Sequence, residues 1–174
     1  MNSRTDAFIG QASDNDLRIA LHFLDSAKVL YHSKEYQDHI VLPAMFLVRQ
    51  FLELGLKYNI RKLNKISTTT NLINELNNNH KLIDLHASFL EHYKTAKTAE
   101  GISGLKDQKY LDKLKELVAE VSVLDCGSQG YRYAKNTDGL EIIAPTEVLN
   151  LESIFDRLND AEALLAHVED VFDL

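Results

Sequence analysis

Apolar residues fall at helical spacing in five separate stretches of this 174-residue chain, and little interrupts them. Only two prolines and seven glycines occur, so long helices are favoured over many short strands. A first helix is expected from about Asp14 to Tyr31, with Leu17, Ala20, Leu21, Leu24, Ala27 and Tyr31 in register. Asp14 or Asp16 can accept the free N–H groups at its start. A second is expected from Pro43 to Leu63. Pro43 suits a first-turn position, where its missing N–H is not needed, or the helix begins earlier, near Glu35, and kinks at the proline. Met45, Val48, Leu52, Gly55, Leu56 and Asn59 share its apolar side, which predicts that Leu52 and Leu56 are core residues. Arg49, Gln50, Glu53, Lys57 and Arg61 gather on the other side, with Phe46 among them.

The next stretch, 64 to 79, is polar and reads as a connection in which Leu72, Ile73 and Leu76 can form one helical turn. A connection of that length is either functional and mobile or simple slack. A third helix is expected to start at His80, capped by Asn79, with Leu82, Ile83, Leu85, Phe89 and Leu90 inward. It fades towards a turn at Gly101 and Gly104. A fourth spans about Asp107 to Leu124 on Tyr110, Leu114, Leu117, Val118 and Val121. A fifth spans about Asn150 to Phe172 on Leu151, Ile154, Phe155, Leu158, Leu165 and Val168. Between them, DCGSQGYRYAKNTDGLEIIAP holds three of the seven glycines. Its alternation around Tyr131–Tyr133 and Leu140–Ile142, with a turn at Asn136–Gly139, predicts a small hairpin between Gly130 and Ile143. The sum is an all-α, antiparallel four- to five-helix bundle with one hairpin-like loop. It forms a single domain over residues 1–174, of which 1–13 are a flexible N-terminus. A chain of this length buries roughly 70% of its unfolded surface, enough for a core without staples.

Several function classes lose ground on composition. The formal net charge of −7 argues against indiscriminate phosphate binding, which needs clustered Lys and Arg. The basic runs are short, Lys57–Lys65 and Lys106–Lys115, and read most simply as solvated faces. Cys126, the single cysteine, has no internal disulfide partner, which points to a reducing compartment. No signal-like N-terminus and no uninterrupted apolar run of membrane-spanning length is present, so a cytoplasmic location away from membranes is expected.

Candidate chemistry is sparse. Arg49, Glu53 and Lys57 stand at i, i+4 and i+8. That is worth about 0.2–0.5 kcal/mol per pair on an exposed helix, or it marks a polar line facing a cleft or a subunit. His80, His86 and His92 recur every six residues and therefore point in different directions. His80 with Asp84 makes only a weak pair of ligands, so no metal is assigned. His80 opens a helix after a polar loop, either as a surface or capping residue or as a ligand contact. Cys126 has an adjacent acid, which raises a thiol pKa, and no nucleophile elbow or phosphate-binding glycine loop occurs. Tyr131 and Tyr133 can stack on a base while Arg132 meets phosphate. Alternatively the tyrosines pin the loop to the bundle and Arg132 pairs with Asp125 or Asp138.

The helix PAMFLVRQFLELGLKYNI, the polar connection after it and then NHKLIDL together resemble the HEPN superfamily of helical bundles. The stretch from Asp125 to Gly139, D-x-x-S-x-x-Y-R-Y followed by a D-G turn, is similar to one in some bacterial HEPN-like proteins. The resemblance covers about residues 40 to 172. It implies a four- or five-helix bundle, often a homodimer, in toxin–antitoxin, phage-defence or CRISPR settings. Some members are endoribonucleases; others bind nucleotides or a partner such as a nucleotidyltransferase. The ribonucleases carry an Arg and a His with four to six residues between them. Here Arg18 and His22 have three between them, Arg157 and His167 have nine, and no pair fits.

The expectation is therefore a non-catalytic helical protein that binds a partner protein or a nucleotide, without cofactor. Its candidate ligand-binding residues are Arg49, Glu53, Lys57, His80, Asp125, Tyr131, Arg132 and Tyr133. Two rivals stand beside it: a metal-independent endoribonuclease using Arg49 and His80 for RNA, and a purely structural subunit. Phe46 among polar residues adds a reason to expect dimerisation.

Overall fold

The computed structural model describes residues 16–33, 35–67, 76, 78–103, 107–123, 125, 131 and 148–172. The expected flexible N-terminus, most of the 68–77 connection and, but for Tyr131, the hairpin expected between Gly130 and Ile143 lie outside them. The described residues form six helices and no strand: α1 (Asp16–Tyr31), α2 (Gln37–Ser67), α3 (Leu82–Ala99), α4 (Gln108–Val123), α5 (Leu151–Ala166) and the short α6 (Val168–Phe172). The all-α bundle read from the sequence is what the chain forms.

Helix α2 is the axis of the bundle and touches each of the other five helices. Leu52 and Leu56 are fully buried, as expected. Its apolar stripe alone does not account for the packing, because from Phe51 to Ile60 every residue but Leu54 is buried. A helix surrounded on all sides has no solvent face to spare. By length and composition α2 could cross a membrane, and here 56% of its most apolar window is covered by the rest of the fold. Pro43 does not open the helix but lies inside it, six residues after Gln37. So close to the start, the lost N–H removes only one early intrahelical bond.

Pair contacts fix the directions of the helices. Arg61 near the end of α2 meets Asp16 at the start of α1, so these two run antiparallel. Tyr93 donates to Asp107 at 2.5 Å, which sets the end of α3 against the start of α4. By contrast, Glu53 meets His80 and Ser67 meets His92, so α3 runs alongside α2 in the same sense. Helix α5 also follows α2: the Asn59 side-chain amide donates to the Leu165 carbonyl at 2.9 Å, and Lys62 pairs with Glu169. Gly55 lets this contact close, since a Cβ there would lie 3.3 Å from Leu165 Cδ1.

Four local expectations change. Helix α3 starts at Leu82 rather than His80, because the Asn79 carboxamide oxygen accepts the Lys81 N–H at 2.9 Å and holds a turn there. Ile83 is 59% exposed and does not face the core. The last helix breaks at His167, giving α5 and α6 instead of one rod. Its start is as expected, with Asn150 accepting the Ser153 N–H at 3.0 Å. Finally, Phe46 is not an exposed aromatic: it is partly buried and packs on the core, because neighbouring helices cover that side of α2 as well.

A closed charge network and an open groove

The polar line of α2 is buried, not solvated. The side chains of Arg49, Glu53 and Lys57 are only 3%, 8% and 6% exposed. Each Arg49 nitrogen has an acceptor: Nη1 donates to Glu53 Oε2 at 2.7 Å, Nη2 to the His80 carbonyl at 2.8 Å, and Nε to Asp125 Oδ2. Lys57 Nζ donates to Glu53 Oε1 at 2.8 Å, and His80 Nδ1 lies 2.7 Å from the same oxygen. Two cations therefore stand against two carboxylates, and buried charges persist only when paired and hydrogen-bonded in this way.

The local fold explains the assembly. Spacing of four puts Arg49, Glu53 and Lys57 on one line of α2. The Asn79 turn leaves the His80 carbonyl outside α3 and available to Arg49. Residue 125, just past the end of α4, brings in the second carboxylate. Burial pushes the Glu53 carboxyl upward, but bonds from Lys57, Arg49 and His80 outweigh it and hold it below its usual value. Burial likewise opposes the charge on Arg49, and Asp125 and Glu53 override it.

Five of the eight residues singled out from sequence thus converge: Arg49, Glu53, Lys57, His80 and Asp125. His80 is the only one at the surface, with a side chain 54% exposed. Its Nδ1 is bonded to Glu53. Tyr131 is buried and donates from its hydroxyl to the Val121 carbonyl at 2.8 Å, the pinning role considered for it. Arg132 and Tyr133 lie outside the described residues, as does Cys126. Asp125, weighed as a partner for Arg132, is held by Arg49.

The arrangement changes what these groups can do. Arg49 was a candidate phosphate donor, and its guanidinium is enclosed by the chain's own acceptors. Three cations of the basic run on α2 are similarly committed: Lys57 to Glu53, Arg61 to Asp16 and Lys62 to Glu169. Among the described residues no group of three or more His, Cys, Asp or Glu side chains is placed to hold a metal. The two histidines of α3, His86 and His92, are buried. His92 Nδ1 shares a hydrogen with Ser67 Oγ at 2.7 Å, and burial, with a smaller contribution from Lys115, lowers the pKa of His86.

Sequence reading missed a second feature. The end of α1, the first turns of α2 and the start of α5 enclose an open groove of about 620 Å³. Tyr31, Val41, Leu42, Val148, Leu149 and Leu151 give it apolar walls, with Gln37, Asp38, Asn150 and Glu152 as the polar part. Tyr31 is fixed by stacking on Phe155, with ring centroids 4.2 Å apart. The available signal was apolar pairs placed beside helix starts, Val41–Leu42 before Pro43 and Val148–Leu149 before Asn150. Compared with known proteins, the chain matches no family model, no curated protein and no solved structure.

Proposed function

We propose that this chain is a non-catalytic, HEPN-like helical protein that binds a partner protein, and that the groove at the start of α2 is its contact. The open apolar groove is the observation that carries the reading. A cleft of a few hundred Å³ with mainly apolar walls and a few polar groups is the usual form of a binding site. The enclosed charge network supports the same reading from the other side, because Arg49 and Lys57 already spend their donors internally. The HEPN relationship and a bacterial defence or toxin–antitoxin setting rest on the sequence resemblance.

The endoribonuclease reading keeps one observation in its favour. His80 is half exposed and its Nδ1 is bonded to a buried carboxylate, a pairing that orients an imidazole for general acid–base work. The two readings separate in one experiment. A photo-crosslinking residue at position 42 or, as a control, at 83 is introduced into the chain in its host cells. A defined protein adduct from 42 and none from 83 is expected. Cleavage of labelled RNA by the purified chain, abolished in His80→Ala, would replace the binding reading with the enzyme.

A further inference from the structure

Resting on the binding reading, we infer the chemistry of the partner: the groove seats an amphipathic helical segment whose apolar side chains are flanked by lysine or arginine. Leu42 and Val148 are 42% and 89% exposed, so apolar wall remains in water. Tyr36, next in sequence to the lining residue Gln37, is 77% exposed. A groove with mainly apolar walls and a polar edge has the form of a binding site. The walls suit the anchor side chains of a helix laid across a groove.

Charge selects among occupants. Among the described residues, the ionisable side chains that line the groove are the carboxylates Asp38 and Glu152, both exposed, together with the Tyr31 phenol, and no described Lys, Arg or His lines it. Each carboxylate lies in the first turn of its helix, α2 or α5, where the helix dipole offsets part of its charge and leaves an acidic edge. The nearest cation along α1, Lys28, is committed to Glu162 at 2.5 Å. The whole chain carries −7. Nucleic acid and anionic lipid are disfavoured by this edge. A second copy is disfavoured too, since a two-fold contact would set the same acidic patch against itself. A basic amphipathic segment satisfies both the apolar walls and the acidic edge.

The test uses two fluorescein-labelled synthetic helical peptides, one of leucine and lysine and one of leucine and glutamate. Anisotropy is read at near-physiological salt with the full chain and three forms of it: Leu42→Asp, the double form Asp38→Asn with Glu152→Gln, and Ile83→Asp on the exposed side of α3. Circular dichroism melting confirms that each form folds. Expected is binding of the lysine peptide alone, weakened at least tenfold in the two groove forms and unchanged in Ile83→Asp. Equal binding of both peptides, no binding of either, or equal loss in Ile83→Asp overturns the inference. Lysine-peptide binding retained in both groove forms also overturns it, while leaving a binding protein whose contact lies elsewhere. A dimer that Leu42→Asp dissociates would assign the groove to a second copy and overturn it as well.

Discussion

Helix α2 treats its middle and its beginning in opposite ways. Between Arg49 and Lys57 it buries charge; at Leu42 it leaves an apolar side chain exposed, beside the half-buried Val41. The reason is position in the bundle. The middle is encircled by other helices, so its polar line must find partners inside the protein. The start lies at one end, where α1 finishes and α5 begins, and no further helix among the described residues closes over it. The contrast teaches that polarity alone does not locate a binding surface here. The polar cluster is internal structure, and the apolar end is the accessible one.

The sharpest way to break this comparison is Glu53→Gln. If the network is buried as described, removing its central carboxylate leaves Lys57 buried without a counter-charge and Arg49 with Asp125 alone, and costs about 3–5 kcal/mol in denaturant unfolding. A loss below about 1 kcal/mol would place the network in solvent, where exposed pairs contribute little. Next in size is Leu52→Ala, at about 2–5 kcal/mol for a fully buried leucine. Leu42→Ala on the same helix, at an exposed site, should stay within about 0.5 kcal/mol. Similar costs for the two leucines would erase the distinction between the middle of α2 and its start.

Acid titration sharpens the comparison further. The folded Glu53 carboxyl lies below its ordinary value of 4.5, so its contribution is complete above that pH and is lost as pH falls through the folded value. The acid limb of the stability profile should therefore flatten in Glu53→Gln. His86 is also depressed, from 6.5, so its neutral burial favours folding above that pH and the benefit falls away as the pH drops below it. Burial lowers the pKa of His92 as well, so His86→Leu should reduce the slope that begins near pH 6.5 and leave the His92 part, followed by melting temperature against pH. The smallest effect is at the groove edge: Asp38→Asn should leave unfolding within about 0.5 kcal/mol of the parent.

Much of the bundle was legible because the signal was local. Leu114, Leu117, Val118 and Val121, and Ile154, Phe155 and Leu158, show their helices through spacing alone, and all are buried. Asn150 announced its helix by cap chemistry. His80 was less legible, because two rules competed at one place. Asn79 looked like a helix cap, yet its side chain closed a turn onto Lys81 and delayed α3 by two residues. The same delay supplies the carbonyl that Arg49 uses. Phe46 and Ile83 were misjudged because spacing gives the angle around a helix and not how much of that helix is covered. The groove was illegible for a related reason: its walls come from residues near 31, 41 and 149, which no periodicity relates.

By itself the sequence determined that this chain is helical, where its long helices lie and which stripe of each is apolar. These follow from backbone propensity and side-chain period, which act over one or two turns. Tertiary structure alone decided that α2 is the axis and that α3 and α5 run in its direction. It also decided that Arg49, Glu53, Lys57, His80 and Asp125 come together in one network, and that an apolar groove stays open at one end of the bundle. Those outcomes depend on which side chains compete for water once the helices are packed. Burial and charge pairing are set by neighbours distant in sequence, and spacing along a single helix carries no record of them.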